Sequence, residues 1–558
     1  MSTKCQKCDA NFEVGEKEKQ LLQKLAVVFN QKKYEIPQPA NCPDCRLAAR
    51  TVHRNEQNFY GSKSSLTGKP LLSIYSPDTE WGKKYKIYTH EEWWSDQWDP
   101  MEFGADFDFN KGFFEQFYDL SLQIPKVNLI QLNNENCEYT TGTGYCKNCY
   151  LINCSENSED CYYGKLLQDC KDVMDSSYAY NSGLLYQCFY TTKCYNCVYV
   201  FNSQNTSDSW FCDNLRGSKN CFLSTNLVNK EYYFMNKPFS KTEYEEKVKQ
   251  ALSSPENFKK ALEIFEQMRK ERIYKYANIV NSENSTGDFL TNCKDCEDCY
   301  DVNDSENCQY ITVGVNIKDV IDCSNMYLKP ELCYQVLGTI ETYNVIFSLY
   351  VFHSSDVMYS EFCFNSSNLF GCSGLRNKKY CIFNKQYTQA EYEQLVPKII
   401  EHMQKTGEWG QFFPAYHTAF GYNETVAQEY LPLNKEQAQA QGYRWKEADK
   451  RDYLPQTYQV PTSISAVTDE ILANILACKT CKRNYKIIPV ELAKLKKLGL
   501  AIPSECPDCR HNQRMTLRQP RKLYNRNCAK CSSAFKTPFA PSAPEIIYCE
   551  KCYLSSVS

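Results

Sequence analysis

The chain has 558 residues, 32 of them Cys and 42 Tyr, with a formal net charge of -3. Its length predicts more than one domain, and its mean hydropathy of -0.58 predicts a soluble globular class. No apolar run approaches the ~18 residues of a spanning helix, and the opening MSTKCQKC carries no apolar signal region. That cysteine usage fits a reducing cytoplasm, where zinc binding is favoured over a disulfide framework. The charge is unevenly spread: residues 478–558 hold 16 Lys and Arg against 5 Asp and Glu, while the middle of the chain is acidic.

The first predicted element is a zinc-ribbon or treble-clef-like module over 1–60. Cys5 and Cys8 form one CxxC knuckle, and Cys42 and Cys45 form the second within Cys42-Pro43-Asp44-Cys45-Arg46. Two such knuckles at this separation supply four thiolates for one tetrahedral Zn2+, with no position open for catalysis. Arg50 and Arg54 follow.

Residues 61–127 read as a degenerate, metal-free ribbon with a Trp-rich connector. Matching Tyr60 with Tyr524 and Tyr88 with Tyr548 sets Ser64, Thr67, Thr89 and Glu92 where Cys528, Cys531, Cys549 and Cys552 stand in the last ribbon. Packing of Ile74, Tyr75, Tyr85, Ile87 and Tyr88 is expected to replace the metal. The stretch with Trp93, Trp94 and Trp98, then Phe113, Phe114 and Phe117, is read as an aromatic plug against the first coil of the following unit, in preference to a ligand pocket.

The middle is duplicated at an offset near 148 residues: 128–239 and 278–387 are two units of one kind. Cysteines recur nine apart, as at Cys161 and Cys170 or Cys363, Cys372 and Cys381. Short β-prone bursts separated by Asn, Ser and Asp predict a right-handed parallel β-helix, or a β-solenoid close to it, for each unit. Nine residues are taken as about half a coil, or one strand and its turn. Stacked coils would align Cys with Cys and let Asn amides bond down a turn. The 20 central cysteines are read as buried thiols in ladders, with Cys146/Cys149, Cys194/Cys197 and Cys293/Cys296/Cys299 the best candidates for extra zinc. Gly142-Thr143-Gly144 is too short to signal a phosphate loop.

Capping boxes at Ser240/Glu243 and Thr388/Glu391 predict helices over 240–277 and within 388–477, as covers for the solenoid ends or linkers. The first is expected to run through Phe258, Phe265 and Met268 to about Tyr274. The fold class is therefore mainly β: tandem solenoid units with capping helices, flanked by zinc-ribbon modules.

At the C-terminal end, 478–524 repeats the first module with Cys478, Cys481, Cys506 and Cys509. A terminal ribbon over 525–558 adds Cys528, Cys531, Cys549 and Cys552. The twelve ligands predict three structural zinc sites. The excess of positive charge here exceeds what two anionic zinc-thiolate sites need, and basic clusters attract phosphates. Arg510, Arg514, Arg518, Arg521, Lys522, Tyr524, Arg526 and Lys530 are the candidate RNA or DNA contacts, with Arg46, Arg50 and Arg54 a weaker second patch. Arg pairs bidentately with phosphate and Tyr offers a stacking face.

The combination CPDCR, SIYSPD, EEWWSDxWDP, DFDFxxxFFEQF and the SENC/CY repeats resembles a family of large cysteine-rich zinc-ribbon proteins of candidate-phyla bacteria, with giant-virus relatives. The resemblance spans nearly the whole chain. It implies this architecture and no established activity; Ser64 and Thr67 depart from the family pattern.

None of the six His forms HExxH, and GxSxG, GxxxxGK[ST] and a strand-linked GxGxxG are absent. The expected function is non-enzymatic: nucleic-acid binding through the basic C-terminal ribbons, or, alternatively, structural assembly with itself or another protein, in the cytoplasm and without a membrane or small-molecule substrate.

Overall fold

The computed structural model describes residues 2–448 and 452–557; within the predicted 388–477 segment, 449–451 lie outside the described residues. The molecule is mainly β, with an 11-stranded and a 15-stranded sheet whose neighbours pair almost entirely in parallel.

A period of three sets the backbone of both sheets. From Asn133 to Met235 every third residue has a positive φ, Gly142 and Gly217 included, and the same rhythm runs through the second unit. A left-handed residue costs an L side chain roughly 1–2 kcal/mol, and Asn and Asp, whose short side chains tolerate it, hold many of these corners. The residue after each corner faces inward. Cys146, Cys149, Ile152, Cys161, Leu167, Cys170, Val173 and Ala179 all occupy that place and are buried together.

Strands pair at an interval of twelve residues, as in Tyr150 with Tyr162 and Ser207 with Lys219. In the second unit the interval is eleven at Ile279 with Leu290 and thirteen at Lys318 with Glu331. The nine-residue cysteine spacing is therefore three of the three-residue steps in a twelve-residue pairing interval, and not half of that interval. Nine keeps a chemical meaning, because inward thiols donate to the carbonyl nine residues on: Cys188 Sγ lies 3.4 Å from the Cys197 oxygen.

Inward N–H groups point away from the ladder and need side-chain acceptors. Serines on the preceding turn supply them: Ser155 Oγ accepts from Leu167 N at 3.1 Å and Ser176 Oγ from Cys188 N at 2.9 Å. Small residues that both pack and bond are thus selected inside. Outside, Asn196 donates to Asp208 and Asn214 to Asn226 twelve residues on.

Both capping boxes form, at Ser240/Glu243 and Thr388/Glu391. Tyr244 and Tyr392 then pack on Tyr232 and Tyr380, near the end of each sheet. The expected single helix to Tyr274 is two, Lys241–Ala251 and Pro255–Glu271. Ser254 caps the second and Pro255, lacking an N–H, cannot continue the first. The Trp-rich connector packs on the second unit rather than the first: Trp93 meets Phe364 and Phe113 meets Tyr359, with ring centroids 5.5 and 5.2 Å apart.

Candidate metal centres and arginine clamps

Three clusters of four cysteines fit three structural zinc sites: Cys5, Cys8, Cys42 and Cys45; Cys478, Cys481, Cys506 and Cys509; Cys528, Cys531, Cys549 and Cys552. Within each, the four sulfurs lie within 4.8 Å of one another. The local chain is the same three times. The first knuckle turns through a left-handed residue, Asp9, Lys482 or Ser532. The third cysteine is the N-cap of a short helix, so the dipole's positive end faces the thiolates. Its N–H donates to the first sulfur at 3.3 Å in every copy. Four thiolates leave no position for a reacting water, so the donor set suits a structural metal.

The second ribbon has the same hairpin, Tyr60–Lys63 with Pro70–Ser73, and the same left-handed turn at Gly68. Glu92 takes the metal's place there. Its carboxylate accepts from Ser64 Oγ at 2.6 Å, from Thr67 Oγ1 and from Thr89 N at 2.9 Å. These bonds hold the carboxyl below its ordinary range against the opposing pull of desolvation. The expected replacement by aromatic packing is corrected accordingly: Ile74, Tyr75, Tyr85 and Ile87 form a separate cluster with Phe420.

None of the 20 central cysteines is in a disulfide or a metal cluster among the described residues, and all but Cys137 are buried. Burial pushes the Cys188, Cys333 and Cys363 thiols up to about 12. The central CxxC strings are adjacent sides of the three-residue repeat, with both sulfurs turned inward.

The structure takes four of the candidate nucleic-acid contacts out of reach of a phosphate. Arg510 and Arg514 are buried on Asp175 of the first unit, at 3.2 and 2.8 Å, and Arg510 also holds Glu491 at 2.9 Å. Arg518 pairs with Glu429 at 2.6 Å and Arg521 with Asp301 of the second unit at 2.7 Å. Arg526 is spent on backbone carbonyls, Ala540 at 3.2 Å and Glu545 at 3.3 Å. Tyr524 is half-buried, while Lys522 and Lys530 remain exposed. A buried guanidinium costs too much to leave unpaired, so arginines spaced along one helix face were legible as charge but not as surface.

The N-terminal patch is built the same way. Arg46 and Arg50 are buried on Asp322 of the second unit at 2.6 and 3.3 Å, with Arg46 also on Glu18 at 2.8 Å. Arg54 pairs with Glu56. Asp322 lies about 147 residues after Asp175, at the equivalent place in the second unit. Each end module therefore clamps the far unit through one carboxylate and two arginines. Sequence reading missed both aspartates; their repetition at the duplication offset was the available signal.

No helix among the described residues is long and apolar enough to cross a membrane. No protein-family model, curated protein or solved structure matches the chain.

Proposed function

We propose that this chain is a zinc-dependent scaffold of the cysteine-rich ribbon family it resembles, non-enzymatic and cytoplasmic, built to present two β-solenoids as one rigid body to copies of itself or to another protein. Each solenoid is wound in twelve-residue coils of four three-residue sides. The observation that carries the reading is the pair of clamps at Asp175 and Asp322, which hold Arg510 and Arg514, and Arg46 and Arg50, inside the molecule. The basic C-terminal segment then serves docking on the acidic body, which leaves a function in assembly. Light scattering on zinc-loaded full-length protein tests it. Mass that rises with concentration supports self-assembly; a monomer at every concentration and salt removes that arm and leaves a heterologous partner.

Nucleic-acid binding is a second reading, favoured by the exposed Lys522, Lys530, Lys536 and Lys551 around the last ribbon. A fluorescence-anisotropy salt series with labelled RNA and DNA decides it. The log–log slope counts the phosphates engaged, and Lys522→Glu/Lys530→Glu should lower it.

A further inference from the structure

A chamber of about 420 Å³ opens between the two β units and the second ribbon. Trp93, Trp94, Phe352 and Phe364 are among its aromatic walls, and Arg54, Cys154 and Asn325, with the carboxylates of Glu56 and Glu156, are among its polar ones. The duplication supplies a control for it. The equivalent place on the other side is lined by Tyr190, Phe289, Asp301, Arg518 and Arg521, and holds only about 10 Å³.

What fills the second place is two rings. Tyr190 and Phe289 stack with centroids 3.5 Å apart and planes 6° apart. At the repeat offset, Phe289 corresponds to Gly142 and Tyr190 to Gly338. All four are left-handed corners, with φ of 55, 51, 64 and 70° for Phe289, Tyr190, Gly142 and Gly338. The backbone therefore accepts an aromatic residue at these corners, and glycine serves to leave room. A Cβ at Gly142 or Gly338 would meet only side-chain atoms within 3.5 Å, of Arg54 and Tyr350 respectively.

The charge differs in the same way. Asp301, which holds Arg521, corresponds to Cys154. Arg54 Nη2 thus donates to a sulfur at 2.7 Å, and burial, the leading effect, pushes that thiol up to about 12, so it is neutral. Arg54 shares Glu56 with Lys165, which shares Glu429 with Arg518. This buried row has three cations and two carboxylates, and its Arg54 end faces the chamber.

We propose that the chamber is a binding site for a planar aromatic anion, its ring system taking the place that the Tyr190–Phe289 stack fills on the other side and its carboxylate facing Arg54. The aromatic walls supply the face-on contacts, and the ligand's carboxylate answers the one cation of the buried row that Glu56 and Glu429 leave unmatched.

The test titrates zinc-loaded full-length protein with 2-naphthoate and with neutral 2-naphthylmethanol, by calorimetry and by the fluorescence of Trp93 and Trp94. Saturable binding is expected, tighter for the acid by about tenfold, the scale of one charge-assisted contact. Gly142→Phe/Gly338→Tyr, which transplants the plug, should abolish it with zinc content retained. Cys154→Asp should erase the preference for the acid. No saturable binding of either probe up to millimolar concentration overturns the proposal, as does unchanged binding in the plugged variant. Should that variant lose zinc, Cys154→Asp decides: an unchanged preference for the acid overturns the proposal.

Discussion

At Asp175 one buried carboxylate holds two arginines, and at Asp322 a second does the same. Desolvating such a group is repaid only while its partners stay, so removing the carboxylate strands two buried cations. Asp175→Asn should lower unfolding free energy by about 3–5 kcal/mol, read by denaturant titration, with Asp322→Asn costing a similar amount; a loss within ~0.5 kcal/mol would match an ordinary surface site and contradict the clamp. Buried titratable groups also set an acid limit. Desolvation holds His53 down to about 4 and His417 down to about 3, each from 6.5. Both rings are neutral in the fold, whereas the unfolded chain takes up their protons below 6.5. Their contribution is complete above that pH and is lost as pH falls toward 4, at about 1.4 kcal/mol per pH unit for each. Glu56, held at about 2 against desolvation by Lys165 and Arg54, adds a second loss as pH falls from 4.5. Unfolding curves from pH 7 to 5 should show the histidine slope, and His53→Phe/His417→Phe should reduce it, leaving the share of His511, which burial holds down to about 3.

Among the elements, the second ribbon shows how one hairpin works with and without metal. Its hydroxyls and Glu92 occupy the four ligand positions of its relatives, and the turn at Gly68 and the helix capped by Thr89 are kept. Ser64→Cys/Thr67→Cys/Thr89→Cys/Glu92→Cys should therefore raise zinc content by one ion per chain in a metal assay; an unchanged content would mean that the hairpin has drifted from ligand geometry. Inside the β units, Ser176 accepts the Cys188 N–H that no backbone group meets. Ser176→Ala should cost about 1–3 kcal/mol, the penalty of an orphaned buried donor, whereas Ser→Ala at an exposed position should cost little in the same unfolding assay. The ribbon ligands, the duplication and both capping boxes were legible because each rests on a fixed local spacing. The three-residue corner was written in the chain too, in Cys146/Cys149 and Cys293/Cys296/Cys299, but the same CxxC string also spells a zinc knuckle. Spacing cannot separate the two, since the distinction lies in where the next turn lays its carbonyls. The clamps were hidden for a different reason: an arginine beside a zinc site reads as surface charge until the acid that buries it is brought from some 300 residues away.

The whole molecule is closed crosswise, and this is where the metal has its largest effect. The N-terminal module reaches Asp322 in the second unit and the module over 478–524 reaches Asp175 in the first. The two ribbons meet the segments that lead into the units: Ile87–Tyr88 pairs in parallel with Lys126–Val127, and Ile546–Tyr548 with Ile273–Lys275. Each clamp arginine stands on a helix whose N-cap and first turn carry two of the four thiolates, Cys42 and Cys45 or Cys506 and Cys509. The modules bury Leu21 and Leu25, or Leu492 and Leu495, in clusters shared with other parts of the chain, while the centre of the first knuckle is its cysteines, so zinc binding is also folding energy. Loss of the metal releases the helix, and with it the register of both arginines on the aspartate. Chelation should therefore act far from the cysteines. On EDTA treatment, limited proteolysis should cut first within 1–60 and 478–558, while the β units, held by their own ladders, persist as larger fragments. Hydrogen exchange should rise at the same time around Asp175 and Asp322, which touch no metal. Asp175→Asn should reproduce the loosening of the C-terminal module in the presence of zinc, because it cuts the same connection from the other end. If chelation strips the metal yet leaves exchange at both aspartates unchanged, the arginines hold their positions without the ribbons, and zinc serves only the local fold of each knuckle.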